Sequence, residues 1–219
     1  MKTKHKVLFL CLCVTLILGV SMLGSLAYMT DRDSVVNTFT AGKVGLALDE
    51  SLVDPDGTPV PGADRVKQNT YHLIPGQSYV KDPTLRILAD SEEAYVRLLV
   101  TINEIAALQA IFGADFLPED YASGWDAETW PCVAISDVQD DSITYEFRYK
   151  ETVSGEDGEL VLPALFTGFT VPGALTAEQL ATLDELKITV VGHGIQAATF
   201  ADAEEAWAAF GEQFPDLSL

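Results

Sequence analysis

The stretch ITYEFRYK, residues 143–150, sets Ile143, Tyr145, Phe147 and Tyr149 on one side of an extended chain and Thr144, Glu146, Arg148 and Lys150 on the other. Alternation with a period of two is the mark of a strand with one face in a core and the other in water. The pattern recurs on both sides of it. AYVRLLVTI (94–102) aligns Val96, Leu98, Val100 and Ile102, KVGLALD (43–49) aligns Val44, Leu46 and Leu48, and TLRIL (84–88) aligns Leu85 and Ile87. LKITVVGHGIQA (186–197) aligns Leu186, Ile188 and Val190, after which Gly192 and Gly194 predict a bulge or a close backbone crossing. Between these runs lie DPDGTPVPG (54–62), IPGQ (74–77) and SGEDGE (154–159), rich in the Pro, Gly and Asp that fix or free φ. Strands joined by such turns predict an antiparallel β-sandwich rather than βαβ units.

Three segments carry the helical period instead. NEIAALQAIF (103–112) spaces Ile105, Leu108 and Ile111 by a helical turn, with Asn103 as candidate cap. The segment near 176–185 opens with Thr176 and has Gln179 three residues later, a capping box. ADAEEAWAAF (201–210) brings Trp207 and Phe210 onto one face and leaves Asp202, Glu204 and Glu205 on the other. No repeat or long low-complexity linker divides the chain, so residues 28–219 read as one mainly β domain with inserted helices.

The N-terminus has a different composition. Lys2, Lys4, His5 and Lys6 precede an apolar run from Val7 to about Leu23, and Ser25 and Ala27 supply the small residues at which a signal peptidase cuts. The reading is a signal helix over residues 1–27, removed between Ala27 and Tyr28; uncleaved, it would act as a membrane anchor. The three lysines of this leader are subtracted from the 13 Lys+Arg of the whole chain, leaving 10 against 33 Asp+Glu, a net charge of −23. Such a charge excludes nucleic acid and anionic membrane as expected partners. Cys11 and Cys13 fall in the leader, so the exported chain keeps Cys132 alone and has no internal disulfide.

Catalytic patterns are missing from the sequence. A zincin needs two His one helical turn apart with a Glu between them, whereas this chain past the leader has only His72 and His193. There is no GxSxG elbow, and Cys132, after Trp130-Pro131, reads as a small hydrophobe at a buried edge. Asp54-Pro55-Asp56-Gly57 begins like a calcium loop but lacks the Glu at its twelfth position, so it reads as a turn. The residues therefore predict no catalytic, metal-binding or cofactor-binding site.

Ala27-Tyr28-Met29-Thr30-Asp31, then NTFTAGKV (37–44), then LIPGQSYVKDP (73–83), and a tail reading IQAATFADAEEAW (195–207), together make the chain similar to the TasA and camelysin family of Gram-positive bacteria. The resemblance implies a jelly-roll-like β-sandwich with helical insertions, export through a SipW-type signal peptidase, and a role as a secreted structural protein of the cell surface or biofilm matrix. It implies self-association into fibres, with an N-terminal strand of one copy completing the sheet of the next. Tyr28, Val35, Val36 and Phe39 would be the donor-strand residues, β-branched or aromatic as strand addition requires. Two other classes are also open: a camelysin-like metal-dependent surface endopeptidase, and a monomeric ligand-binding or adhesion module.

Overall fold

The structure, a computed structural model, describes the backbone of residues 30–32 together with residues 43–183 and 185–217. Among these residues ten strands form in antiparallel pairs: β1 (Thr30–Arg32), β2 (Leu46–Asp49), β3 (Ser78–Val80), β4 (Thr84–Ile87), β5 (Ala94–Asn103), β6 (Cys132–Ile135), β7 (Ser142–Arg148), β8 (Leu160–Val161), β9 (Gly168–Thr170) and β10 (Ile188–Gln196). One sheet runs β1-β10-β5-β7-β6, a second runs β2-β4-β8, and β3 pairs with β9. Four short α-helices among the described residues join them: α1 (Ile105–Phe112), α2 (Pro118–Tyr121), α3 (Ala177–Ala181) and α4 (Ala203–Gln213). The protein is thus mainly β, and its strands are antiparallel as the turn chemistry predicts.

The alternating residues do what their period requires. Val96, Leu98, Val100 and Ile102 of β5 and Ile143, Tyr145 and Phe147 of β7 are buried in one cluster with Leu46, Leu85 and Ile87 of the facing sheet. The register is fixed because a one-residue slip would turn each of these apolar faces to water. Trp130 closes the core near β6, where its indole N–H donates to the Pro163 carbonyl at 3.0 Å. The Tyr145 hydroxyl donates to the Phe116 carbonyl at 2.5 Å and ties the segment before α2 to the sheet.

Several local expectations are corrected. Gly192 and Gly194 make no bulge: they pair regularly with Leu98 and Val96. Their role is the close approach of the second sheet, since a Cβ on Gly192 would lie 2.9 Å from Leu85 Cδ1 and one on Gly194 3.0 Å from Val44 Cγ1. Asn103 does not cap α1. It ends β5, and its side chain bridges to Glu185 and Lys187, while Asp141 Oδ1 accepts from the free Ala106 N–H at 2.9 Å. The third helical segment starts later than 201, at Ala203, because the Asp202 carboxylate accepts from the Glu205 N–H at 2.9 Å and serves as the cap. In the second, the Thr176–Gln179 capping box forms as the spacing requires, although the helix stops at Ala181. Of the motif NTFTAGKV (37–44), all but Lys43 and Val44 lie outside the described residues, and the strand expected over 43–49 begins at Leu46.

Helix α4 packs on the outer face of the five-stranded sheet. Trp207, Phe210 and Ala206 form a second apolar cluster with Ile195. Beneath them Arg97 of β5 is buried, its guanidinium 4.5 Å from the Trp207 ring centroid and 4.7 Å from that of Phe210. Arg97 pairs with Glu146 at 3.3 Å, donates to His193 Nδ1 at 3.3 Å and reaches the Leu217 carbonyl at 2.8 Å, so one charged side chain binds the chain's last described turn to the sheet.

Candidate functional site

β10 is the strand on which the site is built. Its inner edge pairs with β5 along all nine residues, from Ile188↔Ile102 to Gln196↔Ala94. Among the described residues its outer edge is covered at one end, where Thr30, Asp31 and Arg32 of β1 lie opposite Ile195, Gly194 and His193. From Ile188 to Gly192 the outer edge has no strand partner among the described residues.

Beside this open edge the two sheets part. Val44 and Leu46 close over Gly194 at the covered end. Towards Ile188 a groove of about 1000 Å³ opens between β10 and the segment 48–50. Its floor is apolar, made by Ile188, Val190, Leu186 and Leu73, which pack against the main core while staying half-exposed. The opposite wall is polar and rigid: Lys81 and Glu50 form a buried ion pair at 2.6 Å, and Asn69 donates to the same carboxylate at 2.9 Å. Breaking such a pair strands a buried charge, so this wall resists rearrangement. Burial, with Glu50 adding to it, raises the Tyr71 phenol above its ordinary range, and the neutral hydroxyl donates to the Val80 carbonyl at 3.0 Å.

At the Ile188 end the groove leads into a small pocket of about 50 Å³, lined by Leu108, Phe112, Phe116, Tyr121, Val171 and Leu175. Pocket and groove share Leu73, Phe169, Leu183, Leu186 and Ile188. Its aromatic walls are braced from behind: Phe169 stacks on Tyr79 at 5.0 Å and meets Tyr71 edge-on at 5.3 Å, while Phe116 sits 5.4 Å from Phe112 and 5.5 Å from Tyr121.

The other outer edge of the large sheet differs. β6 exposes Val133 and Ile135, but a register irregularity between Cys132 and Ala134 breaks its ladder, a device that blunts an edge against pairing. Of the two outer edges of the large sheet, the β10 edge is therefore the one that lacks a strand partner over Ile188–Gly192 among the described residues and borders the groove.

The residues singled out in sequence are distributed as follows. Tyr28, Val35, Val36 and Phe39, with Ser25 and Ala27 of the cleavage site, lie outside the described residues. His72 is exposed on the groove's rim, whereas His193 is buried under α4 with its ring 5.1 Å from Phe210, so the fold does not bring the two together. No cluster of three His, Cys, Asp or Glu suited to a metal ion occurs among the described residues. Cys132 is a free thiol at the edge strand, and burial, reinforced by Glu119, pushes its pKa up to about 11. The Asp54 segment is a turn: Asp54 Oδ1 accepts from the Asp56 and Thr58 N–H groups, and its carbonyl from Gly57.

Sequence reasoning missed Arg97 and Glu146, which fall on the polar side of their strands yet are buried, and it missed the groove. The signal for the first was available in part, since Arg97 and Glu146 sit on paired strands beneath a face that Trp207 and Phe210 need to cover. Burial holds the Arg97 pKa below its ordinary value, with Glu146 opposing that shift.

Fold and site define a class: an antiparallel β protein with an open strand edge beside a groove. Comparison with models of protein families, with curated proteins and with solved structures finds no match. No helix among the described residues is long and apolar enough to cross a membrane.

Proposed function

We propose that this chain is a secreted, non-enzymatic structural protein of the cell surface or biofilm matrix, which polymerises when an N-terminal strand of one copy adds to the β10 edge of the next. The observation that carries this reading is the half-covered edge: among the described residues β1 occupies three of the nine positions along β10, and Ile188, Thr189 and Val190 line a groove with an apolar floor. An added strand gains main-chain hydrogen bonds along such an edge and places alternate side chains in the groove. Segment 28–39, with Tyr28, Val35, Val36 and Phe39, has the β-branched and aromatic residues for this. The net charge of −23 keeps the copies apart in solution until a specific contact forms, and it is sensitive to ionic strength.

In this reading residues 1–27 are a signal segment removed by a SipW-type peptidase, Tyr28 is the exported N-terminus, and the sandwich is of jelly-roll type with TasA-like assembly. The test compares purified chains beginning at Tyr28 and at Thr40 by electron microscopy and sedimentation over days. Fibres from the first and a folded, soluble monomer from the second are expected. Fibres from the chain beginning at Thr40, or none from the chain beginning at Tyr28, would overturn the proposal.

A further inference from the structure

The pairing of β1 sets a register that can be carried down the open edge. Thr30 lies opposite Ile195 and Arg32 opposite His193; a second copy's strand that takes the place of β1 in this register and continues one for one would bring Val35 opposite Val190, Val36 opposite Thr189 and Phe39 opposite Leu186. The backbone of β10 supports such a ladder as far as Lys187, whose carbonyl still accepts from the Asn103 N–H at 3.3 Å. On β10 the even-numbered positions face the core, as Val190 opposite Val100 and Ile188 opposite Ile102 show. Val35 and Phe39 would therefore point inward on the same face, and Phe39 would arrive at Leu186, one of the five residues shared by the groove and the apolar pocket.

The pocket suits an aromatic tip. A dry cavity that takes a whole benzene ring measures about 150 Å³, so the 50 Å³ here accepts the distal part of a ring, while Leu73, Phe169 and Leu186 flank the remainder at the mouth.

Chain length decides which copy supplies the ring. Lys43 is held at the covered end of β10: its carbonyl accepts from the Glu92 N–H at 2.9 Å, and the next residue, Val44, rests against Gly194. From Leu186 to Gly194 is eight positions, two of them before β10 begins, about 27 Å at strand spacing. From Phe39 to Lys43 is four, which span at most about 14 Å when fully extended. A chain whose Phe39 is opposite Leu186 cannot return to its own Lys43 site. Val35 can, since eight positions then separate it from Lys43, about 28 Å of reach, for the four between Val190 and Gly194, about 14 Å.

We infer that the pocket at the Ile188 end of the groove is a socket for Phe39 of a second copy of this chain, a position open to a donated strand and closed to the copy's own. This inference rests on the strand-donation reading proposed above and adds its register and its anchor. It is tested in chains beginning at Tyr28 with Cys132 replaced by Ala, carrying one new cysteine each and mixed in pairs under mild oxidation. Phe39→Cys mixed with Leu186→Cys is expected to give a disulfide-linked pair of copies, as is Val35→Cys with Val190→Cys. Val36→Cys, which points to the opposite face, is expected to give at least ten-fold less product with Leu186→Cys. If the Val35–Val190 pair links and the Phe39–Leu186 pair does not, strand donation stands and the socket is refuted. If neither pair links, both fall. A double Phe39→Cys, Leu186→Cys chain that closes its disulfide within a monomer would also overturn the inference, because the length argument forbids it.

Discussion

Replacing Trp207 with Ala tests whether α4 is part of the domain or an appendage. The ring is buried against Phe210, at 5.4 Å between centroids, and over the Arg97 guanidinium. Truncating a buried tryptophan costs about 3 to 5 kcal/mol. The lost cation–π contact, up to about 2 kcal/mol when desolvated, is contained in that figure rather than added to it. For a domain of this size 1 kcal/mol corresponds to about 2 to 4 °C, so the melting temperature should fall by about 6 to 20 °C. Urea denaturation followed by far-ultraviolet circular dichroism and by tryptophan fluorescence should show one shared transition, because Arg97 joins α4, β7 and the Leu217 carbonyl through a single side chain. Trp207→Phe, which keeps a ring over Arg97, should lose less than half as much. A loss below about 1 kcal/mol for Trp207→Ala would refute the packing. Two separated transitions would show instead that α4 unfolds alone.

Gly168→Ala should destabilise the domain by at least about 2 kcal/mol in the same assay, since its Cβ would lie 2.2 Å from the Tyr79 carbonyl oxygen, a backbone atom that cannot step aside. Asp82 gives a pH dependence of known sign: burial would raise its pKa, but hydrogen bonds from Ser51 and Arg65 outweigh this and hold it below the ordinary value. A group depressed in the folded state contributes stability above its unfolded pKa, near 4, and loses it as the pH falls through the folded one. Denaturation midpoints measured from pH 6 to pH 2 should therefore decline less steeply for Asp82→Asn than for the parent. Cys132, with its thiol pushed to about 11, should react with iodoacetamide at pH 8 roughly 100-fold more slowly than a free cysteine and recover the ordinary rate in urea.

The groove and the α4 face show why the large sheet has two very different sides. On the α4 side the polar residues of β5 and β7 are consumed internally, Glu146 accepting from Arg148 at 2.6 Å as well as pairing with Arg97. On the core side, the glycines of β10 let the second sheet close tightly at one end, while Ile188 and Val190 line the groove at the other. The wedge between them is the site.

What the sequence determined by itself were the long, one-sided elements. β5, β7, β10 and β4 fall where period-two alternation places them, and the cap at Thr176 is local chemistry with Gln179 three residues on. The β6–β7 turn escaped because it uses Asp140 and Asp141, at φ 48° and 54°, where glycine or asparagine is the usual signal. β3, β8 and β9, two or three residues each, have no period to read; they exist because a partner strand arrives to bond them. The burial of Arg97, the open β10 edge and the groove lay equally beyond reach. Whether a strand is an edge, or a charged residue is covered, depends on which elements distant in the chain lie next to it, and Arg97 meets His193 across 96 positions of sequence. Alternation fixes which face of a strand is apolar, but only the packed structure decides what stands against that face and where nothing does.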